Sequence, residues 1–114
     1  MKRKVYVETS VISYLTACPS KTIVGAAHQQ LTLAWWTQRS EYELLVSRAV
    51  WQECAAGDPD AARKRLAALD GISVLAVSEE MIRLAQSLIA AGIIPVKAIE
   101  DAIHIAISTM HGVD

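Results

Sequence analysis

Three acidic residues stand out by their place in the chain: Glu8, Glu53 and Asp101. Carboxylates are what hard divalent cations bind, and Mg²⁺ typically takes one or two of them and keeps several waters. A cation held in this way orients and activates a water and neutralises charge on a phosphate during hydrolysis. Helper groups lie close in sequence. Thr9 and Ser10 follow Glu8 directly, and His104 comes one helical turn after Asp101. Each is able to hydrogen-bond an acidic ligand or a cation-bound water. Each also has a plain structural role. Ser10 caps a helix, His104 is a partly buried histidine with a satisfied partner, and single acids near helix starts are solvated or capping. What favours chemistry is the recurrence of the acids at equivalent ends of successive elements.

Those elements are legible from periodicity and punctuation. Lys4–Glu8 is β-branched and aromatic and predicts a first strand. Thr9-Ser10 offers a helix cap ahead of Val11, Ile12 and Leu15, and Pro19-Ser20 ends that helix. Residues 21–39 carry apolar positions at helical spacing. Tyr42–Val46 predicts a second strand, and Ser47 the cap of a helix running through Val50, Trp51 and Cys54 to Gly57. Asp58-Pro59 opens another helix, which stops at Asp70-Gly71. Ile72–Val77 predicts the third strand. Ser78 starts a helix that ends at Gly92, and the last helix spans 98–110. Strands alternating with helices imply an α/β fold with a parallel sheet covered on both faces. In such sheets ligands bind outside the carboxyl ends of the strands. Glu8 ends strand one, Glu53 lies on the helix after strand two, and Asp101 begins the last helix, so the three are expected to converge on one pocket.

With 114 residues, 53% hydrophobic and 20% charged, the chain is expected to be one domain, 1–114, with a packed core. Its apolar runs fall short of the roughly 20 residues a membrane helix needs. Met1-Lys2-Arg3-Lys4 starts like a signal peptide, but Glu8 breaks the apolar run and no cleavage site follows, which predicts a cytoplasmic protein. Cys18 and Cys54 form no C-x-x-C pair, so they are expected as reduced thiols. The net charge of −1 counts against a nucleic-acid binder, because phosphate neutralisation needs clustered Lys and Arg. A bound cation, however, would supply positive charge beside a phosphate. Arg63-Lys64-Arg65 is the densest basic run and is expected as a solvated helix face. Arg48 and Lys97 flank the acidic segments and are the better candidates for phosphate contact. Trp35, Trp36 and Trp51 are expected as core or interface groups, His28 and His111 as surface or loop residues.

Val5–Leu15 (VYVETSVISYL), Val46–Glu53 (VSRAVWQE) and Pro95–Ser108 (PVKAIEDAIHIAIS) resemble, in order and spacing, the three acidic motifs of the PIN-domain family. His28–Trp36 (HQQLTLAWW) resembles a subgroup of it, and the likeness is to the VapC-type toxins of toxin–antitoxin systems. The resemblance implies a three-layer α/β/α sandwich, endoribonuclease activity, and Mg²⁺ or Mn²⁺ held by Glu8, Glu53 and Asp101, with Ser10, Thr9 and His104 around the ligands. It also implies an antitoxin protein as partner and a homodimer. Two features depart from the family pattern. Glu8 stands where most members carry Asp, which moves the carboxylate outward by roughly 1.5 Å, one carbon–carbon bond. The family domain continues into a fourth strand ending in a Thr-x-Asp or Thr-Trp-Asn motif, whereas this sequence stops at Asp114, ahead of that strand. The fold is therefore expected without its C-terminal strands, leaving strand one with an unpaired edge, and Asp114 is not assigned as a ligand. Two other readings compete. A di-iron bundle would need the acid-x-x-His spacing of Asp101 and His104 twice, and it occurs once. A catalytically inactive PIN-like module binding a protein partner or RNA is the alternative.

Overall fold

The computed structural model describes residues 2–113; Met1 and Asp114 lie outside the described residues. It is an α/β protein built on a small parallel sheet. Strands β1 (Arg3–Tyr6), β2 (Tyr42–Ser47) and β3 (Ser73–Leu75) lie in the order β1-β2-β3. Tyr6 pairs with Leu45, and Ser47 with Leu75. Among the described residues β1 has one strand partner, β2.

The first strand is shorter than its apolar pattern. Val7 still donates its N–H to the Leu45 carbonyl at 2.8 Å, but the chain then turns. Glu8 becomes the residue before helix α1 (Thr9–Thr16), so Thr9 and Ser10 form its first turn instead of capping it. The third strand covers half of the predicted 72–77 stretch. Its ladder follows Leu45–Ser47 and must stop where β2 passes into helix α3 (Arg48–Ala55).

The remaining helices are α2 (Ile23–Trp36), α4 (Pro59–Ala68), α5 (Glu79–Ala90) and α6 (Ile99–Met110). Their starts follow local chemistry. Thr22, Ser47, Asp58 and Ser78 each accept a hydrogen bond from a first-turn N–H, which satisfies one of the free donors at a helix start. Gly71, at φ +79°, makes the left-handed turn from α4 into β3, a conformation that favours glycine.

Side-chain alternation along the strands separates two cores. Val7, Val46, Ile12, Val50, Cys54 and Leu69 form one, with Val5, Leu44, Trp35 and Trp36 packed against it. Met81, Ala85, Ala102, Ala106 and Ile107, from α5 and α6, form the other, with Leu75 and Val77 against it. Burying each large aliphatic side chain contributes about 1.5–3 kcal/mol, so both helix groups are tied to the sheet. Tyr6 touches both clusters. No helix among the described residues is long and apolar enough to cross a membrane.

Candidate acidic site at the carboxyl end of the sheet

Glu8 follows the end of β1, Glu53 sits on α3 just after β2, and Asp101 lies in the first turn of α6. Glu8 and Asp101 line one open cleft of about 460 Å³ together with Tyr6, His104, Ser108 and Thr109. Glu53 lines a neighbouring pocket of about 210 Å³ with Gln52, Glu100 and His104. His104 borders both. The three acids therefore share one end of the sheet, but in two adjoining depressions. Among the described residues no group of three or more His, Cys, Asp or Glu side chains is placed to hold a metal ion.

Glu53 is the most constrained of the three. Thr9 Oγ1 donates to its Oε2 at 3.1 Å, and His104 Nε2 lies 3.1 Å from its Oε1. Thr9 comes from the first turn of α1 and His104 from α6, so two distant segments fix one carboxylate. The Glu53 side chain is 36% exposed and that of His104 11%. Glu8 is exposed and accepts a hydrogen bond from the Ser10 hydroxyl on one oxygen. This bond takes the place of capping, since Glu8 makes no side-chain bond to the helix N–H groups. Asp101 is exposed on the cleft wall.

Behind His104 stands a residue that sequence reasoning did not single out. Tyr6 Oη lies 2.6 Å from His104 Nδ1 and 2.7 Å from Ser47 Oγ. Burial pushes the Tyr6 hydroxyl above its usual range. The Ser47 hydrogen bond opposes this, and the charges of Glu53 and Glu8 add to the rise. The available signal was strand alternation. Tyr6 sits between Val5 and Val7 and so points to the opposite face, toward Ser47 and α6.

The other candidates fall at the margins. Arg48 and Lys97 are exposed, at the starts of α3 and of the short turn before α6. Arg63 pairs with Asp60, and Arg65 donates to the carbonyls of Cys54 and Ala56 at the end of α3. Two of the three cations in that basic run are thus engaged within the chain. Trp35 stacks on Tyr42, and the Arg39 guanidinium lies over Trp36, so both serve packing. Trp51 is 43% exposed. His28 is exposed and contacts Tyr14 Oη, and His111 reaches the Ala76 carbonyl. Cys18 is exposed and Cys54 buried, both as free thiols.

The donor set suits a Mg²⁺-type ion at Glu8 and Asp101. Two carboxylates open to one solvated cleft match an ion that takes one or two carboxylates and keeps its waters. Glu53, with each oxygen already bonded, lines the adjoining pocket. No protein-family model, no curated protein and no solved structure matches this chain.

Proposed function

We propose that this chain is a PIN-like domain, a three-layer α/β/α sandwich whose Glu8, Glu53 and Asp101 serve a Mg²⁺- or Mn²⁺-dependent endoribonuclease. It would act as the toxin of a toxin–antitoxin pair. The observation that carries the reading is the placement of acids from three remote segments at the carboxyl end of a parallel sheet, in two adjoining depressions that His104 borders. The ordered likeness of three motifs to the PIN family adds to it.

In this reading Glu8 and Asp101 hold the cation, which when bound supplies charge neutralisation at the phosphate and a more acidic water. The chain's own residues do the rest. Ser10 keeps one Glu8 oxygen turned toward α1, leaving the other for the cleft. Thr9 and His104 hold Glu53 in a fixed orientation, able to accept a proton from water entering the adjoining pocket. Arg48 and Lys97, exposed on either side, attract the RNA backbone. The antitoxin and a second copy are the protein partners. Helix α2 supports that part: it has no fully buried residue, and Ile23, Val24, Leu31 and Leu33 are exposed along it, an apolar surface of the kind that marks protein contacts.

One observation favours a second reading, a catalytically inactive module that binds a protein. It is the exposed apolar face of helix α2, which suits a protein contact and needs no metal. A cleavage assay separates the two. Purified chain incubated with mixed RNA should cut it in Mn²⁺ and not in excess chelator. No cleavage in either condition overturns the nuclease reading.

A further inference from the structure

Five side chains, each from a different element, form one continuous hydrogen-bonded chain. Ser47 Oγ contacts Tyr6 Oη at 2.7 Å, Tyr6 Oη contacts His104 Nδ1 at 2.6 Å, and His104 Nε2 contacts Glu53 Oε1 at 3.1 Å. Thr9 Oγ1 closes the far end on Glu53 Oε2 at 3.1 Å. Ser47 is fully buried, and its oxygen accepts the Val50 N–H at 3.2 Å.

The direction of this chain follows from what each group is able to give. A carboxylate only accepts, so His104 Nε2 must carry the proton it shares with Glu53. A neutral imidazole protonated at Nε2 has a bare Nδ1, which only accepts, so Tyr6 must donate to it. The Tyr6 oxygen is then free to accept from Ser47. Reversed, with Tyr6 donating to Ser47, a neutral His104 would carry its proton on Nδ1 and turn the Nε2 lone pair toward a carboxylate. Two acceptors would then face each other in a half-buried site, at the cost of unpaired polar atoms.

We propose that Tyr6, backed by Ser47, is a positioning residue: it fixes His104 as the Nε2–H tautomer and so aims the Glu53 carboxylate into its pocket. The relay itself does not depend on any activity; only its consequence for catalysis rests on the nuclease reading.

The test is the ¹⁵N spectrum of the histidine side chains in the full chain at about pH 8.5, roughly two units above the ordinary histidine value. Wild type should show His104 as a single Nε2–H tautomer. An Nδ1–H tautomer or a doubly protonated ring there overturns the proposal with no variant needed. Glu53→Gln removes the carboxylate's own bias, and His104 should remain Nε2–H because Tyr6 still donates to Nδ1. In Glu53→Gln with Tyr6→Phe the two nitrogen shifts should move together toward the averaged values of free histidine. If the single and double variants give the same His104 shifts, with amide spectra otherwise unchanged, Tyr6 does not set the tautomer. Separately, Tyr6→Phe should lower Mn²⁺-dependent cleavage about 10- to 100-fold, as loss of an outer-sphere partner does, chiefly in kcat. A confirmed tautomer with no cleavage in wild type would leave the relay standing and remove the nuclease reading.

Discussion

Glu53 reaches solvent with both oxygens already hydrogen-bonded, whereas Asp101 stands exposed on its cleft. That difference predicts different penalties. Asp101→Asn removes a charge the cation would need. It should abolish Mn²⁺-dependent RNA cleavage while leaving the circular dichroism and thermal midpoint as in wild type; unchanged cleavage would take Asp101 out of the mechanism. Thr9→Val removes one donor to Glu53 and should cost about 10- to 100-fold in activity or metal affinity. Tyr6 carries a pH signature. Its folded-state pKa lies above the unfolded value near 10. Above that value the unfolded chain loses its proton before the folded one does. The stability contributed is thus intact below about pH 10 and is lost as pH climbs from there through the folded pKa. Thermal midpoints recorded from pH 9 to 11 should fall more steeply for wild type than for Tyr6→Phe, and parallel curves would contradict this. At this scale the sequence told half the story. The acids were legible because they recur at element ends, and His104 because it follows Asp101 by one helical turn. Tyr6 was not, because in a strand written KVYVE it reads as one more β-forming residue; only the partner across the sheet, 41 positions away, gives it a role.

Elements were read well where their starts are chemical and poorly where their ends depend on a partner. Ser47, Asp58 and Ser78 were expected as helix starts, and each accepts a first-turn N–H. The end of β3 was missed because β2, its only ladder partner among the described residues, turns into α3 after Ser47; strand propensity contains nothing about that. The joint between β2 and α3 is the point of greatest consequence. Ser47 is buried, caps α3 and backs Tyr6, so Ser47→Ala deletes a cap and leaves a part-buried tyrosine oxygen without its donor. A loss of about 1–2 kcal/mol follows from the cap alone. Chemical denaturation should show it as a lower midpoint with unchanged slope, and an unchanged midpoint would mean α3 does not rely on this cap.

At the scale of the whole molecule, two surfaces stand open among the described residues. β1 has a single strand partner among the described residues, and its sequence, RKVY, is β-forming; such an edge is a template for pairing with another chain. Helix α2 is the other. Between Lys21 and Arg39 the sequence has no charged residue, and the groove of about 600 Å³ that α2 forms with the end of α1 is lined by Leu15, Ile23 and Leu33. The chain should therefore self-associate as concentration rises, visible in sedimentation velocity, and Leu31→Lys should weaken that association if α2 carries it. A monomer at all concentrations, with β1 amides protected from exchange, would show that both surfaces are covered within one chain. The parallel sheet and its two helical faces were legible in the alternation of strands and helices. What the sequence left open was how far apart the acids stand, since each is placed by a different helix start and that spacing is set by packing.

The central claim is that Glu8 and Asp101 hold one cation, with Glu53 beside it in the adjoining pocket. Mn²⁺ is paramagnetic, so a titration of the ¹⁵N-labelled chain reports directly where the ion sits. Substoichiometric Mn²⁺ should broaden the amides around Glu8, Glu53 and Asp101 before any others, and Asp101→Asn should remove that selectivity. Broadening centred elsewhere, or spread evenly over the exposed acids in both proteins, would contradict the claim.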